Sequence, residues 1–464
     1  MLFEQLEQLR QSDWYPMHMP GHKRKEQLCP LGNPYGLDIT EIDGFDNLHD
    51  AEGILKESME YATKLFHAEE TKYLVGGSTA GILIGISACT KRNDKILVAR
   101  NCHRAVYHAI EQMELTPVYL YPALTSLGFP KGITANIVME ALEEHTDCKL
   151  VVITSPTYEG ILSEVKEIAE VVHQKGIPLL VDEAHGAHLG FERYENANQA
   201  GADLVVQSAH KTLPAFTQSA LLHRNGTLVN VERLQHYFTI YQTSSPSYLL
   251  MGSLDAMVQL LQQQGTTLFA QYYENLDWFY REVKKCKNIL LYTGEEEYLQ
   301  KDSGKLIFYA KYGKSGQELY NRLREQYHIQ PEMAGPNYVL CMSTVADTRE
   351  DFLRLLQAIT EMDSRLLDEN ETIAIPTVDY EVCAGTQRKR AREAFDAKWE
   401  NVELVRSIGR ICADYVGLYP PGIPILVAGE EITKKAVDTL MECEAVGLHL
   451  FGVTEKQIRV MKAI

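Results

Sequence analysis

Two apolar stretches that end in polar residues decide the fold: Ile177-Pro-Leu-Leu-Val-Asp182-Glu-Ala-His185 and Ala202-Asp-Leu-Val-Val-Gln-Ser208-Ala-His210-Lys211. Short apolar runs of this kind are typical of strands that are buried on both faces of a sheet. Each run is followed at once by side chains that can carry a charge. The sequence therefore predicts two strands whose carboxyl ends hold chemically active groups.

A helix is predicted directly before the first of these strands. We expect its N-cap at Ser163 and its stop at Gly176, with Pro178 just beyond, and an apolar stripe along one face from Val165 to Val172. Strand, helix and strand at this spacing form a βαβ unit, and its repetition predicts an α/β fold with a mostly parallel sheet and helices on both faces. Ligands of such sheets bind beyond the carboxyl ends of the strands.

Three regions are expected along the chain. Residues 1–52 form a short helix followed by an arm that is rich in Pro and Gly, and residues 53–295 form the large domain. Residues 296–464 form a smaller α+β domain, in which strands are predicted near residues 306–311 and 338–342 and helices beside them.

Composition limits the classes of function. The 464 residues are 45% hydrophobic and carry a formal net charge of -18, which argues against nucleic acid or an anionic membrane as partner. The nine cysteines form no Cys-x-x-Cys motif, and the acidic N-terminal helix does not resemble a signal peptide. We expect a soluble cytoplasmic protein that uses its cysteines in reduced form.

Lys211 and Asp182 are the residues with the clearest chemistry. A lysine that can form a Schiff base, with an earlier aspartate that can pair with a pyridinium nitrogen, is the layout of a pyridoxal phosphate enzyme. Taken alone, Lys211 could be a surface lysine at a strand end. Asp182 could be a helix N-cap or, with Glu183, His185 and His188, a metal ligand; no matching ligand group lies elsewhere, so no metal is expected.

Two segments could hold the phosphate of such a cofactor. Gly76-Gly-Ser78-Thr79-Ala-Gly81 opens an apolar helix, where backbone N–H groups and the helix dipole favour an anion. The alternative is a Gly-rich helix start that packs closely against a neighbour. Ser208 and His210, beside Lys211, are further candidates for phosphate binding.

Two other segments have both a functional and a structural interpretation. His103, in Asn101-Cys-His-Arg-Ala-Val-Tyr107, could stack on a planar cofactor or could simply cap the helix that follows. The acidic arm, residues 38–50, could be a solvated loop or could attract a cationic substrate side chain, with Glu41 and Asp43 as the residues to test.

Together these motifs resemble the Orn/Lys/Arg decarboxylase family, which has pyridoxal phosphate fold type I, the aspartate-aminotransferase-like fold. The resemblance covers nearly the whole chain and is nearest to the short members, which lack an N-terminal flavodoxin-like domain. It rests on these segments: Met19-Pro-Gly-His-Lys23, the acidic arm through Gly53, Asn101-Cys-His103, Ser155-Pro-Thr-Tyr158, Asp182-Glu-Ala-His185, Ser208-Ala-His-Lys211, Thr243-Ser-Ser-Pro-Ser-Tyr248 and Tyr419-Pro-Pro-Gly-Ile-Pro424.

The resemblance implies a role for each candidate residue. Lys211 would hold the cofactor covalently and Asp182 would pair with its ring nitrogen, while His103 stacks on the ring. His185 would lie near the ring hydroxyl or the substrate carboxylate. The phosphate would be held by Ser78, Thr79, Ser208 and His210, and, because the fold places its site at a dimer interface, by Thr243 or Ser244 of the partner in a homodimer.

The function that follows is pyridoxal-phosphate-dependent α-decarboxylation of arginine, lysine or ornithine, among which the motifs do not choose. His210 or Lys211 would return the proton to Cα. Two alternatives remain at this point: another reaction on the same fold, such as transamination with Arg406 or Arg410 binding the α-carboxylate, or β-elimination, and a non-catalytic regulatory protein that binds pyridoxal phosphate.

Overall fold

The N-terminal arm reaches across to the smaller part of the molecule. A computed structural model describes residues 2–28, 30–311, 314–365 and 376–462. Its first elements are helix α1 (Leu2–Gln11) and strand β1 (Tyr15–Met17), followed by single 3-10 turns at Glu26–Leu28, Pro34–Gly36 and Leu48–Asp50. All three residues of β1 are buried, so the arm is fixed rather than loose at this point.

Strands and helices alternate through the large domain, as the βαβ pattern predicts. Its elements are α2 (Ile54–Leu65), β2 (Glu70–Leu74), α3 (Gly77–Cys89), β3 (Lys95–Ala99), α4 (Arg104–Gln112), β4 (Thr116–Leu120), α5 (Ala135–Glu144), β5 (Val151–Thr154), α6 (Val165–His173), β6 (Leu179–Asp182), β7 (Leu204–Gln207), α7 (Ala209–Thr212), β8 (Ala220–Arg224), α8 (Val231–Tyr241) and α9 (Tyr248–Val283).

The strands of this domain form one seven-stranded sheet in the order β2-β8-β7-β6-β5-β3-β4. The pairs from β4 to β7 are all parallel, and only β8 runs antiparallel to its neighbours. Strands β6 and β7 are buried along their whole length, which explains why their sequences are apolar without alternation. The predicted α/β class with a mostly parallel sheet is confirmed.

One predicted helix boundary is wrong. Helix α6 has Glu164 rather than Ser163 as its N-cap. The hydroxyl of Ser163 instead donates to the carbonyl of Thr154 at 3.2 Å and accepts from the backbone N–H of Ile133 at 3.0 Å, so it joins the end of β5 to a neighbouring loop. The predicted stop is confirmed, since Gly176 lies in the left-handed region with φ of 66°.

Helix α3 packs unusually close to the sheet. A Cβ at Gly81 would lie 2.7 Å from a side-chain atom of Leu74, and one at Gly85 would lie 2.5 Å from a side-chain atom of Leu180. Gly81 and Gly85 therefore allow α3 to pack closely against its neighbours, as the structural interpretation of this segment predicts. The first turn of α3 is not used in this packing and faces the carboxyl ends of the strands.

A second sheet follows the long helix α9. The elements are β9 (Ile289–Tyr292), β10 (Lys305–Ala310), α10 (Gly316–Tyr327), β11 (Ile329–Pro331), β12 (Met333–Ala334), β13 (Tyr338–Met342) and α11 (Arg349–Arg365). Strands β12, β13, β10 and β9 form an antiparallel four-stranded sheet, while β11 pairs in parallel with β1 of the N-terminal arm. This sheet begins at Ile289, before residue 296, and the domain limits stay a prediction.

The C-terminal region forms a small unit with its own core. The elements are α12 (Tyr380–Cys383), α13 (Ala391–Asp396), β14 (Trp399–Glu403), β15 (Val416–Leu418), β16 (Ile423–Leu426), α14 (Lys434–Ala445), β17 (Leu450–Phe451) and β18 (Gln457–Met461). The turn between β15 and β16 is the predicted rigid Tyr419-Pro-Pro-Gly segment. None of the helices in the described part of the chain is long and apolar enough to cross a membrane.

Candidate active site

A cavity of about 420 Å³ opens at the carboxyl ends of β3, β5, β6 and β7, where the topology predicts a ligand. The turn between β15 and β16 covers it, so the C-terminal unit completes a site that the large domain builds. The residues that line it are Met19, Gly76, Gly77, Ser78, Thr79, Ile82, Asn101, His103, Ala105, Thr154, Tyr158, Asp182, Ala184, His185, His210, Lys211, Thr217, Gln218, Glu332, Tyr419, Pro420, Pro421 and Ile423.

Lys211 projects into this cavity from the short helix α7, which follows β7 directly. Its Nζ lies 2.9 Å from Nε2 of His185. Burial lowers the pKa of the Lys211 amine, and the carboxylate of Asp182 opposes that shift only in part. An amine that loses its proton more easily than an ordinary lysine is a better nucleophile toward an aldehyde.

Asp182 ends the neighbouring parallel strand β6 and is 5% exposed. Its Oδ1 accepts a hydrogen bond from the backbone N–H of Ala184 at 3.1 Å. Burial raises the pKa of the carboxyl, while the charge of Lys211 lowers it. A carboxylate held in this way is costly to ionise unless a cation comes to lie beside it.

The imidazole of His103 satisfies both of its sequence interpretations. Its Nδ1 accepts from the backbone N–H of Ala105 at 3.2 Å, so the ring caps α4, and the ring also lines the cavity. Burial, followed by the charge of Lys211, lowers the pKa of His103 to about 3. The ring is therefore neutral at physiological pH, and its flat face is available to a planar ligand.

The first turn of α3 provides an anion cradle at one end of the cavity. Gly77 has φ of 71°, a conformation that glycine adopts without strain, and the side chains of Ser78 and Thr79 follow it into the cavity wall. Ser208 directly precedes α7 and is not among the residues that line the cavity; it is 0% exposed, and its Oγ has no hydrogen-bond partner. A buried hydroxyl without a partner is costly, which points to a missing polar ligand.

Two further polar atoms of the cavity wall are buried without a partner: Oδ1 of Asn101 and Oγ1 of Thr154. They line the same cavity as the amine of Lys211, the carboxylate of Asp182 and the first turn of α3. These residues fit pyridoxal phosphate, because that group offers a phosphate, a ring hydroxyl, a ring nitrogen and an aldehyde to such partners.

His210 is held in one tautomer by its surroundings. Its Nδ1 lies 2.9 Å from the carbonyl oxygen of Ser219. A carbonyl can only accept, so Nδ1 carries the hydrogen and Nε2 is bare in the neutral ring. Burial lowers the pKa of His210 to about 4, so the neutral form dominates near pH 7.

Thr243 and Ser244 lie outside the cavity of their own chain. Both side chains are exposed, and the carbonyl of Thr243 accepts from Nε2 of His49 at 2.8 Å. That bond joins their segment to the acidic arm. In the arm, Asp46 is structural, because its carboxylate accepts from the backbone N–H groups of Gly53 and Leu55 at the start of α2.

The structure also brings in residues that the sequence motifs do not single out. Glu332 lines the cavity from the loop between β11 and β12 and accepts a hydrogen bond from the hydroxyl of Tyr158. Lys305, at the start of β10, places its Nζ 2.7 Å from Nδ1 of His185. A lysine that opens an otherwise apolar strand was the one available signal for it.

Side chains that two alternative interpretations would use have other partners. His188 pairs with Asp302 at 3.2 Å, and the described residues contain no group of three His, Cys, Asp or Glu side chains arranged for a metal. Arg406 pairs with Glu403 and Arg410 with Glu400, and neither arginine lines the cavity.

Two models of one protein family match this chain, and curated relatives match it over nearly its whole length. Residues 2–303 match the Orn/Lys/Arg decarboxylase major domain, and residues 379–456 match the C-terminal domain of the same family. The chain is 34% identical to the YaaO protein of Bacillus subtilis over 99% of its length and 98% of that protein. It is 32% identical to the arginine decarboxylase of Bacillus subtilis, over 96% of its length and 94% of that protein.

Solved structures share the fold. The lysine decarboxylase of Francisella novicida matches with a TM-score of 0.76 and 21% identity, over 90% of this chain and 73% of that chain. Lysine decarboxylase A of Pseudomonas aeruginosa matches with a TM-score of 0.77 and 19% identity, over 96% of this chain and 77% of that chain. The expected fold type I is confirmed. From the two family models and the curated relatives, the chain belongs to the Orn/Lys/Arg decarboxylase family, whose members are pyridoxal-phosphate-dependent enzymes.

Proposed function

We propose that this chain decarboxylates a basic amino acid at Cα, with arginine as the preferred substrate. The observation that carries the proposal is the single cavity that holds the amine of Lys211, the carboxylate of Asp182 and the first turn of α3. Arginine is favoured because relatives named arginine decarboxylase are 32% and 33% identical to the chain, whereas the constitutive lysine decarboxylase of Escherichia coli is 23% identical.

The chain's own groups divide the work of holding the cofactor. Ser78, Thr79 and Ser208 would bind the phosphate at the start of α3, with His210 beside them. Asp182 would hold a proton on the ring nitrogen, and His103 would pack its neutral face on the ring. When bound, pyridoxal phosphate supplies an electron-accepting ring that stabilises the charge left at Cα by the departing carbon dioxide.

Lys211 is the group that we assign to proton return at Cα. His210, the other candidate, keeps its only proton in a hydrogen bond to the carbonyl of Ser219, and its low pKa leaves Nε2 bare near pH 7. Lys211 carries an amine that can both hold and release a proton in the cavity. His210 would instead orient the substrate or the phosphate.

In the direct test, the purified chain is loaded with pyridoxal phosphate and incubated with arginine, lysine or ornithine in separate reactions. The products of each reaction are then identified. We expect agmatine from arginine as the dominant amine. Lys211→Ala is the matched control, since it removes the amine and leaves the cavity otherwise intact. A 2-oxo acid as main product, or no product from any of the three with cofactor bound, would contradict the proposal.

We also propose that the active chain is a homodimer in which Thr243 and Ser244 reach the partner's phosphate. Support comes from their exposure outside their own cavity and from exposed apolar residues that line one groove with Tyr248 of the same segment, among them Phe45, Ile54 and Tyr61, which are 44%, 50% and 42% exposed. Apolar groups exposed together in this way mark an interaction surface.

Mixing two inactive variants tests this arrangement. Thr243→Glu places a negative charge against the partner's phosphate, and Lys211→Ala removes the amine from its own site. Mixed dimers would regain one complete site, so activity should return to about a quarter of the unaltered level. Thr239→Glu, an exposed threonine on α8, is the control that should stay active. No recovery on mixing would exclude a shared site.

A further inference from the structure

Three basic side chains form an uninterrupted row beside the cavity, joined through four nitrogen atoms. Nε2 of His185 lies 2.9 Å from Nζ of Lys211, and Nδ1 of the same ring lies 2.7 Å from Nζ of Lys305. His185 is 7% exposed and Lys305 is 1% exposed, so the contact between these two side chains is buried.

The hydrogen bonds of this row constrain where its protons lie. A neutral imidazole has one N–H donor and one bare nitrogen. If His185 accepts from Lys211 at Nε2, it donates from Nδ1 to Lys305, which must then have a free lone pair. If Lys305 donates to Nδ1, the ring donates from Nε2 to a neutral Lys211. In either arrangement one of the two amines is uncharged.

Electrostatic effects also favour a state in which only one of the two lysine amines is charged. Burial lowers the pKa of Lys305 to about 7, and burial followed by the charges of both lysines holds the pKa of His185 well below its usual value. The acids that act on Lys305 are Asp302, which is committed to His188, and Glu332 and Glu159, which bond to Tyr158 and Tyr338. The other charged or titratable groups around the row are Asp182, His103 and His210.

We propose that Lys305 is a positioning residue that shares one proton with Lys211 through His185 and thereby sets the charge state of the Lys211 amine. The transfer balances without any other reactant. Lys211 gives a proton to Nε2 of His185 while Nδ1 of His185 gives its proton to Lys305, so the ring changes tautomer and stays neutral. Lys211 gains its lone pair, and Lys305 becomes the ammonium group.

The arrangement concerns the states in which Lys211 is not covalently occupied. In those states the Lys211 amine must be neutral to attack an aldehyde carbon, and it must be charged to return a proton. A neighbour that takes up or gives back one proton lets the same amine do both. This assignment rests on the proposed function, in which Lys211 is the reactive amine.

The test measures the reactivity of Lys211 in the cofactor-free protein. Pyridoxal without its phosphate is applied briefly across a pH series, the product is reduced with borohydride, and label on Lys211 is quantified by peptide mass mapping. Labelling rate against pH gives the apparent pKa of the Lys211 amine, because only the neutral amine reacts. Turnover is not part of the readout.

Two substitutions of Lys305 should have different effects on the apparent pKa of the Lys211 amine. Lys305→Met removes the site that takes the proton, so the midpoint should rise by about one pH unit or more. Lys305→Arg places a permanent charge beside His185, so the midpoint should stay or fall. Lys301→Met is the matched control, a buried lysine of the same segment that donates only to backbone carbonyls; it should not move the midpoint.

A measurement on the unaltered protein covers the case in which either variant fails to fold. In ¹⁵N-histidine spectra, His185 should stay neutral and show both tautomers, as separate or averaged signals, over the pH range in which the two lysines share one proton. An unmoved midpoint in both folded Lys305 variants, or a single His185 tautomer at every pH, would overturn the inference. A complete lack of label on Lys211 in the unaltered protein would instead contradict the proposed function, and the inference with it.

Discussion

The guanidinium of Arg100 donates to the backbone carbonyl of Pro424 at 2.6 Å and so joins the large domain to strand β16, which follows the turn that covers the cavity. A second bond runs to the carbonyl of Ile425 at 3.0 Å, and a third to the hydroxyl of Tyr107 at 2.8 Å. Arg100 is 0% exposed. The loop after β3 therefore fixes both His103 and the C-terminal segment around one site.

Replacing Arg100 with Met should destabilise the protein and loosen the covering turn. The carbonyls of Pro424 and Ile425 would each lose a buried donor, and the buried carboxylate of Glu430 would lose its cation at 3.9 Å, which should cost about 3 kcal/mol or more in the free energy of unfolding. KM should rise more than kcat falls, because the turn shapes the cavity without carrying the chemistry. Chemical denaturation and steady-state kinetics would check both. Arg92→Met, at an exposed ion pair with Glu114, should change neither.

Replacing Asp182 with Asn should reduce turnover by about a hundredfold or more while cofactor is still taken up. The amide cannot keep a proton on the ring nitrogen, although it fills the same space. Glu183→Gln is the neighbouring control: burial raises the pKa of Glu183 to about 8, so its side chain is uncharged near pH 7 in the folded protein. Equal losses in the two variants would contradict the role of Asp182.

Glu183 should also make the folded state less stable as pH rises. Its pKa is raised from 4.5 to about 8, so between these values the folded state keeps a proton that the unfolded state has released. The free energy of unfolding should therefore fall between pH 5 and pH 8, by at most about 1.4 kcal/mol per pH unit from this group. Glu183→Gln should remove this part of the slope, and denaturation at several pH values would measure it. A variant whose slope equals that of the unaltered protein would show that Glu183 ionises normally.

Replacing Ser208 with Ala should weaken cofactor binding without weakening the fold. The hydroxyl is buried without a partner, so its loss should leave the stability of the cofactor-free protein unchanged or slightly higher. The dissociation constant for pyridoxal phosphate should rise about tenfold if Ser208 binds the phosphate. Ser219→Ala gives the opposite pattern, because that hydroxyl already donates to the carbonyl of Phe216. A loss of stability with unchanged cofactor affinity at Ser208 would argue against the assignment.

How far the sequence could predict this site depends on how local each signal is. The strands that carry Asp182 and Lys211 are continuous apolar runs, and parallel topology alone brings their ends to one edge of the sheet. Lys305 contacts His185 across a separation of 120 residues and comes from another sheet, so no spacing rule could place it there.

The sequence also could not decide the hydrogen-bond partner of a side chain that has two possible partners. Ser163 is a residue type that favours N-caps, yet its hydroxyl donates to the carbonyl of Thr154 at the end of β5. His103 fits both of its interpretations, because a cap uses Nδ1 and leaves the face of the ring free. Local sequence indicates which bonds such residues can form, and packing selects among them.

The most direct test of the central claim follows the carboxyl carbon. Arginine labelled with ¹³C at that carbon would be turned over by the holoenzyme, and labelled carbon dioxide and agmatine would be counted together. Decarboxylation through Lys211 predicts one carbon dioxide for each agmatine and no multiple turnover by Lys211→Ala. Label retained in a 2-oxo acid, or continued turnover by Lys211→Ala, would contradict it.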